Sequence, residues 1–345
     1  MTTRNLFSKY TLLTLAFLLH LVVSRGQPVD TLHSIFERLT AVEGARMTLE
    51  ADLTTIIAQK KTNQYFPGSL MTEDGKTYAI ELRPRGKYRR KISEIPPLKI
   101  KFKKKFLASE GLDTLNDIKL VLPTVDNADG DELIIKEYLI YKMFERLTQA
   151  SVRARLIRLT IRDTHVEKSK KTMYAILIED EEETIARMKG SPVDQYGIPT
   201  DSLITNQAAL VVMFEYMIGN TDWEIAMMRN VRLVRSNESG KVLVLPYDFD
   251  FSGLVSAPYA SPSSDSGLKT VRDRFLMSNG LKIESLRRAT QMMKGCRKDF
   301  YDICRSKHLN RPAAAEMISY LDTFFQLVEA NDEVPTTHLM PIVGE

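Results

Sequence analysis

Cysteine and histidine are scarce in this chain of 345 residues: two cysteines, Cys296 and Cys304, and five histidines, His20, His33, His165, His308 and His338. The histidines are scattered, with no HExxH and no Cys/His pairs, which argues against a structural or catalytic zinc site. Two cysteines cannot make a disulfide scaffold. In an exported chain they could pair with each other. On one straight helix, however, their eight-residue spacing would hold them about 12 Å apart, too far to bridge. There is no internal repeat and no low-complexity region at scale. Also missing is an apolar run of the roughly 20 residues that a membrane-spanning helix needs.

The one apolar run that invites that question is "TLLTLAFLLHLVV", preceded by Arg4 and Lys9 and followed by "SRGQ". A basic start, a short apolar middle and small residues at the exit describe a secretory signal peptide over residues 1–26, with cleavage after Ser24 or Gly26. An uncleaved anchor is the alternative. The mature chain is expected to be exported to the periplasm, cell envelope or exterior, with no integral membrane span. Removing Arg4, Lys9 and Arg25 from the 48 basic residues leaves 45 against 44 acidic ones. Global charge therefore gives no case for a nucleic-acid partner.

What remains is ordinary globular material, 43% hydrophobic and 27% charged. Alternation predicts strands at Met47–Leu53, around Tyr78–Leu82 after an Asp74-Gly75 turn, and through "LKIKFKKKF". A helix is expected over 131–148 with Asp131 as N-cap. Strands follow in "ARLIRLTIRD" and "TMYAILIED". A helix from near Leu203 stops at Gly219-Asn220, and the strands "NVRLVR" and "KVLVLPYDFD" form a hairpin. Helices are expected at 267–294, 296–307 and 312–330. The order implies an α+β chain in two lobes: a β-rich N-lobe with one helix over 27–190, and a mostly helical C-lobe over 191–345 that carries the hairpin.

Carboxylates gather at that hairpin. Asp222 follows a helix stop, Asn230 begins one strand, and Asp248 and Asp250 end its partner, so all four can meet at one edge. Carboxylate and amide oxygens suit Mg²⁺ or Mn²⁺ and leave room for phosphate and water. Asx-rich turns capping a hairpin would use the same residue types. In the front sheet, eleven Lys and Arg fall between Arg83 and Lys105 against one acidic residue, Glu94. Alternation puts Lys99, Lys101 and Lys103 on one face, able to grip phosphates or simply to be solvated. Glu137, on the 131–148 helix, could pair with one of these lysines.

The segments "RGKYRRKISEIPPLKIKF", "IIKEYLIYKMFERL", "YAILIEDEEETIAR", "MIGNTDWEIAMMRNVRL" and "LPYDFDFSG" resemble, in this order, the CotH-type family of atypical protein kinases, first described in bacterial spore coats. The resemblance covers roughly 75–300. It implies a divergent, two-lobed kinase-like fold and transfer of phosphate from ATP, with Mg²⁺ or Mn²⁺, to Ser or Thr of a protein. On that likeness Asp222 is the catalytic-loop Asp, Asp248 the metal Asp and Asn230 a candidate metal ligand, with Asp250 beside them. Arg85, Lys99, Lys101 and Glu137 fall to the nucleotide. Two other readings stay open: a kinase-like envelope protein that binds without catalysis, and a metal-dependent phosphoesterase.

Overall fold

The computed structural model describes residues 33–331 and Val334, so the expected signal peptide lies outside the described residues. The front of the chain forms α1 (Ile35–Leu39), β1 (Ala45–Ala51), α2 (Leu53–Ala58), β2 (Phe66–Thr72), β3 (Thr77–Pro84), α3 (Arg89–Ile92), β4 (Leu98–Phe102), α4 (Lys104–Ser109) and β5 (Asp117–Val121). Next come the long helix α5 (Ala128–Leu147), then β6 (Ala154–Asp163), β7 (Lys171–Glu179) and α6 (Glu181–Arg187). The back holds β8 (Gly190–Pro192), α7 (Thr205–Ile218), β9 (Val231–Ser236), β10 (Val242–Pro246), α8 (Ile283–Gly295), α9 (Arg297–Cys304) and α10 (Arg311–Ala330).

Seven strands close into a barrel in the order β1-β2-β3-β4-β5-β7-β6. All neighbours are antiparallel except β1 and β6, whose parallel pairing seals it. Strict alternation drives this: Leu98, Ile100 and Phe102 are buried inside while Lys99 and Lys101 face out. Leu49, Leu82, Ile118, Leu159 and Leu177 fill the same interior. The chain is thus mixed α and β. Its front sheet is a closed barrel, a closure that the expectation of a β-rich lobe with one helix did not include. The front also carries several helices, because short helical turns make the corners between strands. At one such corner Asp52 follows β1 and caps α2 by accepting from Thr55 N at 2.9 Å.

A second, larger core surrounds α5 and α7. Helix α7 is buried along most of its length, the pattern of a helix enclosed on all sides. It ends at Gly219, whose φ of +67° is the left-handed stop that the sequence anticipated. Helix α5 starts earlier than expected, capped by Asn127 rather than Asp131. Asp131 instead accepts from Tyr174 N and from Arg158. Residues 267–282 are not helical: Gly267 and Gly280 have positive φ, and Arg274 is drawn to the carbonyls of Met217 and Tyr320. Cys296 and Cys304 are free thiols. Among the described residues no helix is long and apolar enough to cross a membrane.

Candidate functional site

Strands β9 and β10 pair with Pro246 opposite Val231, so the end of one meets the start of the other. Tyr247 N donates to Asn230 O at 3.0 Å across that end. Asn230 (φ +52°) and Asp248 (φ +67°) both sit in the left-handed region, which Asn and Asp enter more readily than most residues. The turn presents the Asp248 backbone N–H to the hydroxyl of Tyr141 at 2.8 Å. Tyr141 lies one helical turn beyond Glu137, so α5 shows both to the hairpin end.

Glu137, Asp248 and Asp250 converge there, with a carboxylate oxygen from each within 4.8 Å of the others. Between them lies the guanidinium of Arg89, only 8% exposed. It reaches Glu137 Oε1 at 2.8 Å, Asp248 Oδ1 at 3.0 Å and Asp250 Oδ2 at 2.9 Å. The cation that answers Glu137 therefore comes from the basic segment, but it is Arg89 on α3 and not a lysine of β4. Burial works against the Arg89 charge, yet Asp250 and Glu137 hold its pKa well above the ordinary value. Three carboxylates about one cation cannot all ionise freely. Burial, with Asp248 and Glu137 adding to it against the pull of Arg89, raises Asp250 to about 7. Asp250 also accepts from the Tyr259 hydroxyl at 3.1 Å.

Asp222 is held in a separate hydrogen-bonded chain. Asn230 Nδ2 donates to its Oδ2 at 3.0 Å and also to its backbone carbonyl. Its own N–H donates to Asn220 Oδ1, and Asn220 Nδ2 donates to Glu215 Oε2 at 2.9 Å. Asn230 is thus turned toward Asp222, where it fixes a carboxylate. Burial and then the Asp248 charge raise the Asp222 pKa, against Arg229 and Asn230. Glu215, fully enclosed in α7, is pushed by burial to about 8, so its surroundings favour the neutral acid.

The remaining predicted residues spread over the outer face of the barrel. Lys99 pairs with Asp117 at 2.7 Å and approaches Asp180 at 3.6 Å. Lys101 sits over the ring of Tyr65 at 5.2 Å, beside Arg83. Arg85, beyond the end of β3, feels the charges of Asp248 and Arg89. Sequence reasoning missed Arg89, Glu215, Lys119 and Arg232. Lys119 sits between Ile118 and Leu120, and Arg232 between Val231 and Leu233, an apolar setting that could have drawn notice; Arg89 was one of eleven basic residues with nothing to mark it. A cavity of about 460 Å³ lined by Arg38, Arg46, Lys76, Tyr78 and Glu110 shares no residue with this site, and Arg38 and Lys76 are already paired with Glu110.

No family model matches the chain, and no curated protein matches it. Eight solved chains do. One is the crystal structure of a Helicobacter pylori proinflammatory kinase, CtkA, at 9% identity and a TM-score of 0.36, covering 69% of this chain and 91% of that chain. So distant a likeness carries no argument about activity.

Proposed function

We propose that the chain is a divergent, two-lobed, CotH-like phosphotransferase that moves a phosphoryl group from ATP to Ser or Thr of a protein. The observation that carries the reading is the pair of unlike carboxylates at one hairpin end. Asp248 is 43% exposed, with Oδ1 on Arg89 and no hydrogen bond to Oδ2 among the described residues. Asp222 is oriented by Asn230 and made more basic by burial.

A divalent ion fits Asp248 but not the buried trio. Mg²⁺ is commonly bound by one or two carboxylates together with phosphate oxygens and water, and Asp248 offers a free oxygen in a half-open position. Glu137 and Asp250 already face a guanidinium, and a second cation between them would meet its charge in a buried setting. When bound, the ion would neutralise charge developing on the transferred group. Asp222 then accepts the proton of the acceptor hydroxyl, a role that its raised pKa favours. On this reading Arg85, Lys99 and Lys101 would contact the phosphates, Lys99 leaving the carboxylates of Asp117 and Asp180 to do so. Arg89 ties Glu137 to Asp248 and so fixes α5 against the hairpin. Export of the chain belongs to this proposal, supported by the pattern of its first 26 residues.

The test is transfer of label from γ-labelled ATP in the presence of Mg²⁺ or Mn²⁺, to the chain itself or to a general acceptor protein. Asp222→Asn is expected to lower the rate by about 10²- to 10⁴-fold, and Asp248→Asn to remove the dependence on metal. Undiminished transfer in both variants, or no transfer with either metal, would defeat the reading. The second outcome would favour a protein that binds without catalysis, to which the neutralised trio at Arg89 already lends support.

A further inference from the structure

We propose that the outer surface formed by α3 and the end of α2 docks an acidic segment of the acceptor protein, with an apolar side chain of that segment resting on Tyr88 and Ile92. That the occupant is an acceptor rests on the phosphoryl-transfer reading. The charge that would draw it does not.

Four cations meet on this surface. Lys60 and Lys61 follow α2, and Arg90 and Lys91 lie on α3. The two segments are laced together through backbone carbonyls. Lys60 Nζ donates to Lys91 O at 3.0 Å and to Ser93 O at 3.3 Å. Arg90 donates to Lys60 O and, at 2.6 Å, to Thr62 O. Carbonyls fix these side chains without cancelling their charge. Among the described residues none of the four has a carboxylate within ion-pair reach. Glu94, the acid closest to Lys91 in sequence, is turned instead to Lys171 at 3.6 Å. Cations held in place beforehand lose less freedom when a partner arrives, and an unbalanced positive patch attracts and orients an acidic one.

The surface borders the hairpin end. Arg89, between Tyr88 and Arg90, points inward and lies 3.0 Å from Asp248 Oδ1. Tyr88 and Ile92, four residues apart and so on one side of this single turn, are 45% and 40% exposed. The ring of Tyr88 leans on Phe251 and Tyr259, with centres 5.3 Å and 6.1 Å away, and Tyr259 donates to Asp250. A protein segment that reaches the hairpin end therefore meets two apolar side chains and then the cations. A lipid surface fits less well, because it calls for apolar groups free to enter it, and Tyr88 is held against its neighbours.

The test titrates three fluorescent peptides into the full chain without ATP or metal: one with Ser and Phe among Asp and Glu, the others with Lys or Gln in place of the acids. The acidic peptide is expected to bind most tightly, and salt to weaken it. Lys61→Glu combined with Lys91→Glu, both exposed, should weaken it about tenfold, and Ile92→Ser by less. With labelled ATP and Mg²⁺, the double variant should raise KM for the acidic peptide and keep kcat. Equal affinity for the three peptides, or unchanged affinity in the double variant, would overturn the docking surface whatever the transfer assay gives. Tight acidic binding with no transfer would uphold the surface and defeat the transfer reading. Phosphatidylserine vesicles that bind the parent but not the double variant, with no preference among peptides, would overturn the proposal in favour of a lipid surface.

Discussion

Two charged clusters adjoin at the end of the β9–β10 hairpin, and they are opposite in kind. Around Arg89, three carboxylates face one guanidinium, and every member is within hydrogen-bond distance of another. Around Tyr247, Arg85, Lys119 and Arg232 have one carboxylate within ion-pair reach, Asp180, and it already leans on Lys99. The first cluster satisfies itself and links three separate elements. The difference separates a cluster that balances its own charge from one that does not.

Substitutions break the comparison most directly at Arg89. Arg89→Met leaves the carboxylates buried without their cation, and a loss of about 3–5 kcal/mol is expected in urea denaturation. Arg89→Lys should lose less but not recover fully, because an ammonium lacks the planar fork that reaches several acceptors at once. Across the hairpin end the sign should reverse. Lys119→Met removes a charge from a crowded site, and a gain of about 1 kcal/mol is expected in phosphate-free buffer. Equal losses at the two positions would erase the distinction.

Glu215 sharpens the contrast by pH. Its folded pKa, about 8, lies above the unfolded 4.5. The stability it contributes is therefore complete below pH 4.5 and is lost as pH rises through about 8, at roughly 1.4 kcal/mol per unit inside that window. Glu215→Gln should flatten that part of the denaturation profile and change little at pH 5. A smaller effect, of about 1–3 kcal/mol, is expected for Gly219→Ala. Its backbone is left-handed, and an added Cβ would lie 2.0 Å from the Tyr320 hydroxyl. Thermal denaturation would show it.

Local signals made the hairpins, the Asp74-Gly75 turn and the Gly219 stop legible, because each is set by a few neighbouring residues. Barrel closure was not legible: β1 and β6 pair in parallel with no shared turn to announce it. Nor was the irregular stretch at 267–282, where Arg274 bonds to carbonyls of α7 and α10. At the site, Asp222 and Asp248 stood out as polar residues at the ends of apolar elements. The partners of Asn230 and Glu137 depended on side-chain directions that spacing does not encode. The value of Arg89 came only from the three acids brought to it.

Barrel closure also sets a timetable for synthesis. Glu50 on β1 and Arg162 on β6, joined by an ion pair, are 112 residues apart in the chain. Bringing such distant strands together costs about 4 kcal/mol in chain entropy, and at ordinary elongation rates β6 emerges roughly ten seconds after β1. Until then the hairpins of β2 to β5 can form, but the apolar side of β1 has no completed interior to enter. The front half thus stays unclosed until β6 has been made and has paired with β1.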